Sequence, residues 1–203
     1  GERYQFLQRD KLLTFEEITR LTRLIVRQGA VKLRLTGGEP LMRQQFERLI
    51  GMLADIDGVE DIAMTTNAYF LPEKAHLLKQ AGLQRITVSL DSLDNETFRA
   101  MNGGRADVAQ VLQGIEAAVN AGFGPIKINA VVKRGVNDHT IVDMARFARE
   151  KGHLLRFIEY MDVGTLNGWR MDHVVTAKEI VKTIHAELPL EPIARNYDSE
   201  TAL

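Results

Sequence analysis

The residues able to do chemistry in this sequence sit in short runs where apolar and polar side chains alternate. In Val31-Lys32-Leu33-Arg34-Leu35-Thr36 one parity is apolar and the other carries Lys32, Arg34 and Thr36. Ile86-Thr87-Val88-Ser89-Leu90-Asp91 repeats the pattern with Thr87, Ser89 and Asp91. Lys127 and Asn129 share one face of a third run, and Ala63, Thr65 and Asn67 share one face of a fourth. Strand side chains alternate between faces, so several strands offer polar rows to one side, as a wet, ligand-sized interior would need. Arg34 and Lys127 are the cations of those rows. An unpaired buried charge is costly, so they require anionic ligand groups, phosphates above all, or a carboxylate partner such as Asp91.

Gly37-Gly38-Glu39-Pro40 follows the first run. Paired glycines admit positive φ and let a ligand press on bare backbone, where peptide groups can hold an ammonium or a carboxylate. The same pair also suits an ordinary tight turn. Pro40 biases Glu39 toward an extended conformation. Neither a dinucleotide fingerprint nor a P-loop is present, and no nucleophile elbow or Ser-His-Asp pattern occurs. The histidines, His76, His139, His153, His173 and His185, are scattered and form no metal-ligand pair. Met161, at the end of a run without clean polar parity, reads on generic grounds as core.

The polar rows need strands to carry them and helices to cover the opposite side. Strands are expected at Val31–Thr36, Ile62–Thr66, Arg85–Leu90, Ile126–Val132 and Leu154–Glu159. Capping boxes at Thr14–Glu17 and Thr176–Glu179 open helices to about Gln28 and Glu187. Further helices are expected over about Arg43–Asp55, Pro72–Ala81, Asn95–Met101, Val108–Ala121 and Thr140–Lys151, several closed by glycine. Pro189 and Pro192 lead into a polar tail, Arg195–Glu200. Strands alternating with helices imply a parallel sheet with right-handed crossovers, and polar residues thicken at the carboxyl ends, where such folds bind ligands. No linker divides residues 1–203, which read as one domain. A helix precedes the first visible strand, and a closed eight-stranded barrel takes about 250 residues. The expectation is therefore an α/β fragment or an open partial barrel.

Composition narrows the function. Of 203 residues 45% are hydrophobic, enough for a core, and 26 Lys+Arg against 27 Asp+Glu leave a charge of −1. That balance argues against a nucleic-acid platform or a polybasic membrane anchor. No apolar run reaches the length of a membrane span, and Gly1–Phe6 has no signal-peptide core. Absence of cysteine excludes disulfides and thiolate-ligated zinc or iron–sulfur sites built from these residues.

The ordered series Leu35-Thr36-Gly37-Gly38-Glu39-Pro40-Leu41, Thr65-Thr66-Asn67, Ser89-Leu90-Asp91-Ser92, Lys127-Ile128-Asn129 and Arg156-Phe157-Ile158-Glu159-Tyr160-Met161 resembles radical S-adenosylmethionine enzymes. Within them it resembles the GTP 3′,8-cyclases of molybdenum-cofactor (molybdopterin) biosynthesis. The resemblance spans essentially the whole chain. It implies a partial (βα)6 TIM-like barrel whose first strand and cluster-binding cysteines lie upstream of Gly1, with a second cysteine cluster after Leu203. It implies S-adenosylmethionine and two 4Fe-4S clusters as cofactors, none ligated by this chain. The implied reaction generates a 5′-deoxyadenosyl radical that takes the ribose C3′ hydrogen of GTP, after which the sugar carbon attacks guanine C8. Gly38, Ser89 and Met161 fall on cofactor-contacting positions, and Arg34, Thr65 and Lys127 on GTP-contacting ones; no catalytic residue is assigned. Ala68 departs from the resemblance, standing where many members have glycine. The fragment alone is expected to be inactive. Its parent is expected to be cytoplasmic, with a second copy of itself and a downstream pterin-synthesis enzyme as its candidate partners. The alternatives are another radical S-adenosylmethionine enzyme or a cluster-free nucleotide-binding protein.

Overall fold

Alternating side chains do produce strands where the pattern places them. The computed structural model describes residues 11–161 and 168–193; the polar tail expected at Arg195–Glu200 lies outside them. The strands are β1 (Lys32–Leu35), β2 (Asp61–Thr66), β3 (Arg85–Ser89), β4 (Lys127–Val132) and β5 (Leu154–Glu159). They form a parallel sheet in the order β1-β2-β3-β4-β5. The helices are α1 (Phe15–Arg27), α2 (Phe46–Ala54), α3 (Leu71–Gln80), α4 (Asn95–Asn102), α5 (Val108–Asn120), α6 (Ile141–Lys151) and α7 (Ala177–Glu187). The fold is α/β, as expected.

Local chemistry sets most boundaries. Both capping boxes form: Glu17 accepts the Thr14 amide at 2.8 Å, and Glu179 the Thr176 amide at 2.9 Å. Asp94 caps α4 by accepting the Thr97 amide at 2.8 Å, and left-handed Gly103 ends that helix. The exception is α2, which starts at Phe46 rather than near Arg43. A 3₁₀ turn at Pro40–Met42 comes first, Arg43 is extended, and Gln45 sits in the left-handed region at φ 55°. Three residues that suit a helix are thereby spent on the exit from β1.

The described chain groups into two compact units. The first joins the residues up to Val88 with Ala109–Ile126; the second joins Ser89–Val108 with the residues from Lys127 on. In the first, Ile62 and Met64 of β2 are fully buried, as are Ile50, Leu53, Leu71 and Leu78 of the helices. Its α1 turns Thr19 and Thr22 inward, their hydroxyls donating to the Phe15 and Ile18 carbonyls, and leaves Leu21, Leu24 and Ile25 exposed. In the second, Val132 packs with Ile141, Val175, Ile180, Ile184 and Leu188. There β4 alternates strictly: Ile128, Ala130 and Val132 are buried, and Lys127, Asn129 and Val131 half-buried. The β3 row departs from expectation, because Thr87 is buried whereas Ser89 is exposed.

Candidate functional site

In the first unit the exits of β1 and β2 build a polar cluster. Arg34 lies level with Ala63, and Thr65 level with Thr87 on β3. Its Nη1 donates to Thr87 Oγ1 at 3.2 Å and to Thr65 Oγ1 at 3.4 Å. Arg34 thus spans two strands, and the buried Thr87 hydroxyl is its anchor. Both partners are neutral, and among the described residues Arg34 makes no ion pair. Five N–H donors on a guanidinium leave capacity for an anion. The side chain is exposed rather than buried, so no desolvation cost forces a carboxylate partner on it.

Glu39 organises the glycine turn. It is extended, at φ −129° and ψ 111°, as the following proline favours. Its Oε1 accepts the Leu41 amide at 3.1 Å and the Thr66 hydroxyl at 2.8 Å, and its Oε2 accepts the Asn67 amide at 2.8 Å. One carboxylate therefore ties the β1 exit to the β2 exit. Gly37 and Gly38 are not in the left-handed region, so positive φ is not what they supply. A methyl built on either would meet nothing within 4 Å; what they provide is bare backbone beside open space.

Ala68 explains its own oddity. It adopts φ 67° and is fully buried, a conformation that costs an L-residue about 1–2 kcal/mol. The turn is held by Thr66 Oγ1, which accepts the Ala68 amide at 3.1 Å, and by Asn67 Oδ1, which accepts the Tyr69 amide at 3.0 Å. Behind it lies Gly114 of α5, where an added Cβ would stand 2.2 Å from the Ala68 carbonyl oxygen.

The second unit holds Ser89, Lys127 and Met161. Ser89 ends β3 exposed, and Lys127 opens β4 half-buried. Met161, just after the end of β5, is 60% exposed, which overturns its reading as core. Beyond Ser89, the Leu90 amide donates to the Asn129 carbonyl at 2.9 Å. Asp91 accepts the Val131 amide at 2.8 Å, and its burial pushes its pKa up. Asn137, almost wholly buried, donates to the Asp91 and Val131 carbonyls at 2.7 and 2.8 Å and accepts the Lys133 amide at 2.8 Å. Asp91 thus serves the backbone here rather than a cation.

Glu39 and Asn137 are the residues that sequence reasoning missed. Each bonds groups brought near by folding, and the only hint was an acid or amide placed just past a strand. The histidines take part in no metal cluster among the described residues. A cavity of about 400 Å³, lined by Arg134, Asp138, Glu179 and Lys182 among others, contains none of the expected site residues.

The resemblance implies two kinds of bound group, S-adenosylmethionine and 4Fe-4S clusters. Open space beside the bare backbone of Gly38 fits a polar organic cofactor such as S-adenosylmethionine. An iron–sulfur cluster does not fit these residues, because the chain has no cysteine to ligate it.

Comparison with known proteins agrees. The family model for the Radical SAM superfamily matches residues 2–148. A GTP 3′,8-cyclase of Acidothermus cellulolyticus is 50% identical over 202 residues, all of this chain and 56% of the relative. One of Xanthomonas campestris pv. campestris is 50% identical over 97% of this chain and 58% of its own length. The chain thus spans a little over half the length of these curated relatives. Methylornithine synthase shares the fold, with a TM-score of 0.67 at 17% identity over 87% of this chain and 53% of its own. With the parallel α/β sheet, the glycine turn at the end of β1 and the matched family model all in agreement, the chain belongs to the Radical SAM superfamily.

Proposed function

We propose that this chain is the central part of a GTP 3′,8-cyclase, which converts GTP to a 3′,8-cyclised nucleotide in molybdenum-cofactor biosynthesis. The observation that carries the reading is 50% identity across all of the chain to a relative of that name. The polar cluster around Arg34 supports it, offering cationic donors to an anionic substrate.

In this reading Arg34, Thr65 and Lys127 hold GTP. Arg34, positioned by Thr87, presents its remaining N–H groups to the substrate's anionic or carbonyl oxygens. Lys127 brings an ammonium to the start of β4. Gly38 gives the methionyl end of S-adenosylmethionine access to backbone, with Glu39 fixing the turn, while Ser89 and Met161 contact the same cofactor. When bound, S-adenosylmethionine supplies the 5′-deoxyadenosyl radical that initiates the reaction. The 4Fe-4S clusters of the family require cysteines that this sequence does not contain. Homodimerisation, a cytoplasmic location and transfer of the product to a pterin-forming enzyme belong to the same proposal. Among the described residues no helix is long and apolar enough to cross a membrane.

The test is a reconstituted full-length protein, cluster-loaded and reduced, supplied with GTP and S-adenosylmethionine. The expected result is GTP-dependent formation of 5′-deoxyadenosine together with a cyclised nucleotide. Cleavage of S-adenosylmethionine that ignores GTP would reassign the protein to another radical reaction. GTP binding by a full-length protein unable to hold a cluster would make it a nucleotide-binding protein instead.

A further inference from the structure

The cavity of about 400 Å³ in the second unit has a lining that neither the fold nor the proposed contacts account for. Glu179, Lys182, Thr183 and Ala186 are spaced three, four and seven residues along α7, so they form one face of that helix. Arg134 and Asp138 come from the segment that leaves β4. Ile141 and Val175, 3% and 4% exposed, supply the apolar part of the lining and belong to the core of this unit. From Glu179 to Ala186 the helix rises about 10 Å, and the volume is in the range of small-molecule sites. That length suits a small ligand rather than a folded partner.

Four charged groups line the cavity, and they are not equivalent. Arg134 is held in place: its amide donates to the His173 carbonyl at 2.9 Å, and its Nη2 donates to the Val174 carbonyl at 2.8 Å and to Glu179 Oε1 at 2.7 Å. Glu179 is committed too, because its Oε2 accepts the Thr176 amide at 2.9 Å and hydroxyl at 2.8 Å. Lys182 and Asp138 differ. Among the described residues neither makes an ion pair, and Asp138 uses only Oδ1, which accepts the Gly135 amide at 2.9 Å. One unneutralised ammonium and one unneutralised carboxylate thus border the same cavity, beside a guanidinium with unused N–H groups. Two cations against two acids leave the lining neutral, which disfavours a multiply charged anion. The complement is a molecule with its own ammonium, its own carboxylate and an apolar body.

We propose that this cavity binds a small zwitterion, an α-amino acid with an aliphatic side chain. The ligand's ammonium donates to Asp138, its carboxylate accepts from Lys182 and Arg134, and its side chain lies against Ile141 and Val175. Ala186 leaves room at the end of the helical face, where the wall carries only a methyl. Charge-assisted bonds at both ends of the ligand select the zwitterion, and the apolar lining selects the side chain. The site goes beyond the cyclase reading and does not rest on it.

The experiment is equilibrium dialysis of the full-length, cluster-loaded protein against radiolabelled L-leucine, with 4-methylpentanoate and 3-methylbutylamine as competitors. Each competitor keeps the leucine side chain and lacks one of its two charged groups. The expected result is saturable leucine binding, with both competitors weaker than unlabelled leucine by about tenfold or more, the loss of one charge-assisted bond. Asp138→Asn keeps the acceptor oxygen for the Gly135 amide and removes the charge; it and Lys182→Met should each weaken leucine binding about tenfold, with circular dichroism confirming the fold. Ala186→Leu fills the groove without changing any charge and should abolish binding. No saturable binding of leucine by wild type overturns the proposal. So does a competitor that matches leucine, since the acid would then mark an anion site and the amine a cation site. Leucine binding unchanged in both folded charge variants overturns it as well, by placing the ligand elsewhere. The competition series on wild type decides the question even if a variant misfolds.

Discussion

Replacing Glu39 by glutamine isolates what one carboxylate does for the glycine turn. Oε1 accepts two donors, the Leu41 amide and the Thr66 hydroxyl, and Oε2 accepts a third, the Asn67 amide. A carboxamide has a single oxygen. Placed at the Oε1 position it keeps the first two bonds and turns its NH2 toward the Asn67 amide, donor against donor. The loss is one charge-assisted bond, with two others converted to neutral ones, or about 1–3 kcal/mol locally. Hydrogen exchange reads this at single amides. At about 1.4 kcal/mol per factor of ten, exchange at Asn67 should quicken roughly 5–150-fold, with a smaller effect at Leu41 and little at Ile62 in the buried strand. Glu39→Asp, one methylene shorter, should fail in the same way. Binding of S-adenosylmethionine should weaken in both variants, since the turn bearing Gly38 loses its tie to β2. If Asn67 exchange is unchanged in Glu39→Gln, the carboxylate does not hold the turn and the argument is wrong.

Other outcomes follow from the same geometry. Gly114→Ala brings a methyl to 2.2 Å from a backbone oxygen that cannot move cheaply, so overpacking of about 1–3 kcal/mol should outweigh the helix-propensity gain of roughly 1 kcal/mol; a urea midpoint at or above wild type would contradict this. Arg34→Ala or Lys127→Ala should weaken GTP binding in the full-length protein by about 1–3 kcal/mol, and unchanged affinity in both removes their assigned roles. The capping bonds from Thr176 and the Arg134 guanidinium hold the Glu179 carboxyl down to about 2, from 4.5. The folded state therefore binds fewer protons than the unfolded one across that window. The stabilisation is complete above about pH 4.5 and is lost as pH falls toward 2, so Glu179→Gln should flatten acid denaturation there, as urea midpoints at several pH values would reveal.

What the sequence made legible was local. Alternation located β1, β3 and β4 to within a residue or two, because a half-covered sheet imposes that period on the chain, whereas β5 was found by its apolar, β-prone run without clean parity. The capping boxes were readable because donor and acceptor lie three residues apart. The start of α2 was not, because the segment from Pro40 to Gln45 is shaped by Glu39, whose other partners lie 27 and 28 residues on. Thr87 looked like a ligand-facing residue and is instead the buried anchor of Arg34; parity gives the face of a strand but not which hydroxyl a neighbouring guanidinium will cover. Met161 failed as a core residue because hydrophobicity alone does not show which apolar side chain just past a strand stays exposed. Ala68 stood out only through a missing glycine, and the structure supplies the reason: its φ of 67° belongs to a turn that Thr66 and Asn67 enforce.

The two residues that the sequence hid solve one physical problem. Where a parallel strand ends, its ladder of backbone bonds ends too, and the freed amides must be satisfied by something other than a neighbouring strand. In the first unit Glu39 takes the Leu41 and Asn67 amides; in the second Asp91 takes the Val131 amide, and Asn137 takes the Lys133 amide while donating to two carbonyls. Side chains that sit just past the strands are thus consumed by the backbone. Arg34, Ser89 and Asn129, which stand inside β1, β3 and β4, are relieved of that duty. This division explains why acidity alone is a poor guide to catalysis here. Glu39 and Asp91 look like acid–base groups by type, yet both are committed acceptors of backbone protons. The side chains left to meet a ligand are a guanidinium held by neutral hydroxyls, an exposed serine and an amide oxygen without a partner. In the function proposed above, such side chains bind and position polar and anionic groups, and the chemical driving force comes from the cofactor.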